Sequence, residues 1–250
     1  SWHSTFHWFG IIGIAYSLIL MFALRENPAH NIKKTNIPIN NTEKKISLFS
    51  GLSVLFSTWA FWIILFYFAA PSLPGWATKN WLPTLFSETL NIPMSEAGPI
   101  STITIAVSSF IGVIVGGILS DRWVQKNIRG RVYTGAIGLG MTIPALMLLG
   151  FGESFMAVVG AGLLFGIGFG IFDANNMPIL CQFISAKYRG TAYGIMNMTG
   201  VFAGAAVTEQ LGKWTDGGNL GIGFALLSIV VLAALLLQVY FLRPKTDNME

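Results

Sequence analysis

Apolar and polar positions alternate along this chain in long blocks rather than in short periods. No Asp, Glu, Lys or Arg falls within residues 6–24, 46–76, 97–120, 132–152 or 217–242. Each block is near or above the roughly 18 apolar residues that carry a helix across a bilayer. Two further stretches, 155–184 and 191–211, hold one acid each, Asp173 and Glu209. The pattern predicts seven membrane-spanning helices and an all-α, polytopic transmembrane helix bundle.

The blocks differ in detail. Residues 1–24 form the first span, with Trp2 and Trp8 near its outer end, where interfacial aromatics belong. Residues 25–45 are a polar linker with Pro28, Pro38 and four lysines; its Asn40-Asn41-Thr42 sequon is expected on the inner side, where it would not be glycosylated. The stretch 46–85 is about twice the length one span needs. It divides into an interfacial amphipathic piece up to about Ser57 and a span beyond it. Pro71, Pro74 and Gly75 are expected to break that span, because proline removes a backbone donor and clashes with the preceding turn. A broken helix at membrane depth lines protein or water, which puts Lys79 and Asn80 in the outer half of a cavity-lining helix. The alternative ends the helix at Ala70 and leaves Lys79 in an external loop.

Residues 97–120 carry Ser101, Thr102, Thr104, Ser108 and Ser109, then Gly112 and Gly116. The hydroxyls are expected to bond back to their own helix, and the glycines to admit a neighbouring backbone. Residues 132–152 are nearly featureless and are expected on the lipid side. In 155–184, Gly162, Gly166 and Gly170 recur every fourth residue as a packing stripe. Asp173 and Asn176 then share a helix face, with Asn175 at its edge and Pro178 beyond. An unpaired carboxylate at bilayer depth costs at least a few kcal/mol, so three polar residues in four positions point to a polar path or pocket. Asp173, by contrast, is purely structural if it is protonated or bonded to a neighbouring helix. Glu209, Lys213 and Asp216 are expected to form a network at the rim.

Composition supports a bilayer as the main solvent: 53% of residues are hydrophobic and only 10% charged, where soluble domains carry about 25% charged residues. The net charge of +4 invites a nucleic-acid reading, which the placement of the cations argues against. If the first helix runs outside to inside, all of the 15 Lys and Arg residues except Lys79 and Lys213 lie on the inner side. That asymmetry is the positive-inside signal and puts the C-terminus in the cytoplasm. The single Cys181 permits no disulfide within the chain. His3 and His7 have metal-ligand spacing but no third ligand nearby, so no metal site or cofactor is expected. Seven spans and an opening Ser1 suggest a fragment of a longer polypeptide.

Two motifs carry a family resemblance. GGILSDRWVQKNIRGR, from Gly116 to Arg131, resembles the signature loop of the major facilitator superfamily between the eighth and ninth helices, and AKYRGTAYGIMNMTGVFAGAA resembles its eleventh helix. WLPTLF, from Trp81 to Phe86, is similar to the outer end of the seventh helix in the organic-anion and sugar-acid branch, which includes sialic acid and hexuronate carriers. The resemblance implies helices six to twelve of twelve: residues 1–24 as the sixth helix, 25–45 as the central cytoplasmic linker and 46–250 as the six-helix C-terminal transport domain. The N-terminal half of the same polypeptide then becomes its main partner.

The resemblance makes Asp121, Arg122 and Arg129 or Arg131 a conformational latch that stabilises the outward-facing state. In the family a Gly-Arg pair follows closely; here it falls only at Gly130 and Arg131, which leaves the partner of Asp121 open. One possible partner is the helix N-terminus near Thr191, whose dipole favours an anion. The implied activity is secondary transport across a bacterial inner membrane, with a small sugar acid such as sialic acid moved together with protons. Lys79 would meet the carboxylate. Asn80, Asn175, Asn176, Gln182 and Asn197 would recognise hydroxyl or amide groups, and Asp173 would carry the proton. An intramembrane enzyme using Asp173 as acid or base would need a second catalytic group at the same depth, and none is present. A neutral-sugar facilitator and a non-transporting scaffold are the remaining alternatives.

Overall fold

The computed structural model describes residues 2–23 and 48–244, without the side chains of Trp2 and residues 48–50. The expected linker, its sequon and its lysines lie outside the described residues, as does Lys245. Every regular element among the described residues is helical. The chain divides into two units, 1–45 and 46–250. The first contains α1 (Trp2–Ala23), an uncharged 22-residue helix. The second contains α2 (Leu48–Ser57), α3 (Trp59–Leu90), α4 (Met94–Val124), α5 (Gly130–Phe151), α6 (Phe155–Asp173), α7 (Asn176–Phe183), α8 (Arg189–Asp216) and α9 (Leu220–Phe241).

Six stretches among the described residues are long and apolar enough to cross a membrane: α1, α3, α4, α5, α6 continued through α7, and α9. The seventh expected span, α8, is long enough at 28 residues but more polar than the rest, because it carries Arg189, Asn197, Glu209, Gln210, Lys213 and Asp216. In the larger unit α6 packs between α4 and α5, α5 against α9, α9 against α3, and α3 against both α8 and α4.

Glycine brings these helices together. Between apolar helices in lipid there is little hydrophobic gain from association, so close van der Waals packing has to hold them. On α4, Gly112 and Gly116 lie against the backbone of Ile167 and Ile171, and a Cβ on Gly116 would stand 2.7 Å from the Ile171 Cα. On α6, Gly166 meets Ser108 and Gly170 meets the Ser109 carbonyl, so both expected stripes interlock. The α3–α8 contact uses aromatic rings instead: Phe68 rests on Gly200, Trp76 on Gly204 and Trp81 on Gly212. Trp81 Nε1 also donates to the Thr208 carbonyl at 3.1 Å. Two long-range ties fix α9, where Gln238 donates to the Val132 carbonyl at 2.7 Å and Arg129 to the Val239 carbonyl at 2.6 Å.

Two local expectations need correction. The span after Ser57 is not broken: α3 is one 32-residue helix that contains Pro71, Pro74 and Pro83. Packing on both sides of the prolines holds it, with Tyr67 edge-on to Phe172 at 5.2 Å before them and Trp76 on Gly204 after them. Nor is α5 confined to the lipid side. A stripe from Gly130 through Gly135, Gly138 and Thr142 to Leu149 is buried against α6 and α9, although Ile137, Met147 and Leu148 remain exposed.

The glycine contact yields a direct test. Gly116→Ala should destabilise the protein by about 1–3 kcal/mol, the usual cost of overpacking. Gly117→Ala, whose Cβ would meet nothing within 4 Å, should be close to neutral. Side-by-side thermal unfolding in detergent checks this; equal melting temperatures would mean that α4 and α6 do not touch as described.

Candidate functional site

The break expected in α3 is found in the span that holds the lone acid. α6 ends at Asp173, Ala174 and Asn175 hold the turn, and α7 restarts at Asn176 with Pro178 in its first turn, where the missing N–H is not needed. The turn sorts its polar side chains. Asp173 is open, whereas Asn175 and Asn176 are buried. Asn175 Nδ2 donates to the Ile171 carbonyl at 2.8 Å, which helps to close the end of α6. Asn176 Nδ2 donates to Asp173 Oδ1 at 3.1 Å and so fixes the carboxylate from behind.

Asp173 borders two cavities. The larger, about 400 Å³, lies between α3, α4 and α6 and is lined by Thr78, Lys79, Ser101, Thr102, Ser109, Phe165 and Phe169, among others. The smaller, about 190 Å³, lies between α3, α6 and α8 and is lined by Ser72, Trp76, Phe169 and Asn197, among others. Gly75, Lys79, Phe169 and Asp173 belong to both. Gly75 is what lets Phe169 approach α3, since a Cβ there would stand 2.7 Å from the ring. Phe169 stacks on Phe165 with centroids 5.6 Å apart and planes 15° from parallel, giving the larger cavity a flat aromatic wall.

Lys79 is exposed, with Nζ 5.1 Å from the centre of the Trp76 ring. It is not ion-paired: among the described residues the ion pairs join Asp121 to Arg131 and Glu209 to Lys213. One wall of the larger cavity therefore carries a cation and another a carboxylate, with no direct bond between them. The hydroxyl wall divides by function. Ser101 and Ser108 donate to carbonyls of their own helix. Thr102 and Ser109 line the cavity and make no hydrogen bond with other described residues.

Of the candidates drawn from the sequence, Lys79, Asp173 and Asn197 reach these cavities. Four others do not line them. Asn175 and Asn176 face inward, as described. Asn80 donates to Thr208 Oγ1 at 2.9 Å and ties α3 to α8. Gln182 is buried and donates to the Ile128 carbonyl at 3.0 Å, which ties α7 to the α4–α5 connection. Thr102 and Ser109, whose hydroxyls were expected to bond back to their own helix, line the larger cavity instead; Phe165, Phe169 and Trp76 are lining residues that sequence spacing did not single out.

At the basic end, Asp121 pairs with Arg131 at 3.6 Å, which supplies the partner left open by the motif's spacing. Arg129 is engaged elsewhere, on Val239 and over the Tyr133 ring at 4.9 Å. Arg122 makes no ion pair among the described residues. Glu209 and Lys213 meet at 2.7 Å, whereas Asp216, the third member of the expected rim network, makes no ion pair among the described residues.

Discontinuous helices that present polar groups to a cavity between helices recur at the sites of secondary transporters. The model of the Major Facilitator Superfamily matches residues 1–208. The chain belongs to that superfamily. Probable anion transporter 3, chloroplastic, from Oryza sativa subsp. japonica is 25% identical over 234 residues, covering 88% of this chain and 45% of that protein. The cis,cis-muconate transport protein of Acinetobacter baylyi is 24% identical over 172 residues, covering 68% and 40%. The citrate-proton symporter of Klebsiella pneumoniae is 22% identical over 245 residues, covering 94% and 51%. These relatives are named as transporters, not as enzymes. The chain spans about half the length of the relatives it matches, and like other superfamily proteins it is a multi-pass membrane protein.

Gln182 separates structure from binding. Gln182→Leu removes the partner of the half-buried Ile128 carbonyl and should cost roughly 1–3 kcal/mol of stability, while the half-saturating substrate concentration stays the same. Thermal unfolding and concentration-dependent uptake measure the two effects, and a large rise in KM with no loss of stability would return Gln182 to the binding site.

Proposed function

We propose that this chain is the C-terminal half of a secondary transporter that moves an organic acid anion by alternating access, driven by protons. The observation that carries the proposal is the unpaired Lys79 and Asp173 on the walls of the same two cavities. Lys79 receives the substrate carboxylate and Asp173 takes up and releases the coupled proton, with Asn176 keeping the carboxyl pointed at the cavity. The Phe165–Phe169 wall favours a substrate with a flat apolar body, in keeping with the relative named for cis,cis-muconate. The relative named as a citrate-proton symporter supports proton coupling.

On this reading α1 is the sixth helix of the whole transporter, residues 25–45 are the central cytoplasmic linker and 46–250 the C-terminal transport domain. The N-terminal half supplies the facing wall of the site. Arg122, Lys126, Arg129, Arg131, Lys187, Arg189 and Arg243 share one end of the bundle, and the positive-inside rule supports reading that end as cytoplasmic, in a transporter of a bacterial inner membrane. Asp121, with Arg131, holds the α4–α5 connection in one state of the cycle.

A second reading has a specific observation in its favour. Thr102, Ser109 and Asn197 offer polar contacts that suit a hydroxylated sugar acid such as sialic acid.

Uptake by the full-length protein in proteoliposomes tests both readings. Labelled cis,cis-muconate and sialic acid are compared with and without an inward proton gradient. Gradient-driven accumulation of one acid and not the other chooses between the readings; accumulation of neither removes both. Asp173→Asn should abolish gradient-driven accumulation while sparing exchange. Lys79→Gln should raise KM by about 10- to 100-fold, the equivalent of one charge-assisted hydrogen bond.

A further inference from the structure

Five of the cations at the basic end, those of the α4–α5 connection and Arg189, fall into two groups. Arg129, Arg131 and Arg189 are held by the protein: Arg129 by the Val239 carbonyl, Arg131 by Asp121, and Arg189 by the Cys181 and Ile184 carbonyls at 3.0 and 3.1 Å. The side chains of Arg122 and Lys126 make no ion pair or hydrogen bond with any other described residue. Four positions apart, at and just beyond the end of α4, they border a separate groove of about 460 Å³ whose other lining residues are Leu119, Trp123 and Ile137. Asp121, the acid next to Arg122, is engaged by Arg131 and does not neutralise the pair.

The groove is amphipathic along the membrane normal. Beyond its charged rim, α4 continues with exposed Ile111, Ile114, Val115 and Ile118, an apolar strip toward the bilayer centre. Trp123 packs against Tyr133 at 5.7 Å beside the charged rim, and tryptophan is a residue type favoured at membrane interfaces. A soluble anion would use the two cations and leave Leu119 and Ile137 uncovered. A neutral lipid would cover the apolar strip and leave two charges without partners.

We propose that this groove holds one anionic phospholipid, with its phosphate on Arg122 and Lys126 and an acyl chain along Leu119 and Ile137. Basic pockets between helices at the inner face of a membrane suit such headgroups. The lipid would brace the turn where Gly130 already lies against the backbone of Trp123. It is independent of the substrate and proton assignments above.

Native mass spectrometry of the purified full-length protein in detergent tests the site, with phosphatidylglycerol, phosphatidylcholine or inorganic phosphate added. One phosphatidylglycerol should be retained in preference to phosphatidylcholine, and millimolar phosphate should not displace it. Arg122→Gln with Lys126→Gln should weaken retention by roughly tenfold or more, from the loss of two surface cations. Lys126→Glu alone, at an exposed position beyond the helix end, should act in the same direction. Lys187→Gln should bind as the parent does. Equal retention of both lipids, displacement by free phosphate, or unchanged retention in the Arg122/Lys126 variants would each overturn the proposal.

Discussion

The arrangement depends on the backbone contact between α4 and α6. In lipid two apolar helices gain little by leaving the hydrocarbon, so what they gain comes from close van der Waals approach. Gly112 and Gly116 on one side and Gly166 and Gly170 on the other remove the side chains that would keep the axes apart. This contact has a consequence beyond cohesion. It brings α6 alongside α4 for most of its length, so Asp173 at the end of α6 meets the same cavity as Ser101, Thr102 and Ser109.

The turn after α6 then solves a polar problem. Ending a helix inside a membrane frees backbone groups that hydrocarbon cannot satisfy. Here the Ala174 N–H still reaches Gly170, the Asn175 N–H reaches Phe172, and the Asn175 side chain takes the Ile171 carbonyl. With the backbone provided for, Asn176 is free to hold Asp173. The cluster is therefore one exposed acid and two buried supports rather than three equivalent binding residues.

That division explains how much of the site was legible in the sequence. The apolar blocks, both glycine stripes, Lys79 and the odd acid were visible because each is a local departure from a uniform background. Asn80 and Gln182 were not readable, because their partners, Thr208 and Ile128, lie far away along the chain. Proline was misleading in α3 for a related reason: it removes one bond locally, and contacts from α6 and α8 override it. The hydroxyls of α4 show how fine the distinction is. Thr104, Ser108, Gly112 and Gly116 lie on the buried face, with Ser101 at its edge reaching the cavity, whereas the exposed Thr102 and the half-buried Ser109 look into the cavity. A rotation of about 100° per residue separates packing from lining, and composition does not fix that phase.

The separation of Lys79 from Asp173 bears on coupling. Had the two formed a direct ion pair, a substrate carboxylate would have to break it, leaving the acid without its partner and its own charge only exchanged for another. Held apart across a shared cavity, each group stays free for its own ligand. In the proposed cycle, a carboxylate arriving at Lys79 adds negative charge beside Asp173, which favours protonation of the acid because like charges at close range cannot both remain ionised cheaply. In that cycle proton and anion load together for an electrostatic reason, and the proton offsets one unit of the anion's negative charge. Phe169 borders both cavities beside Gly75, so one aromatic side chain separates the places where the anion and the proton are received.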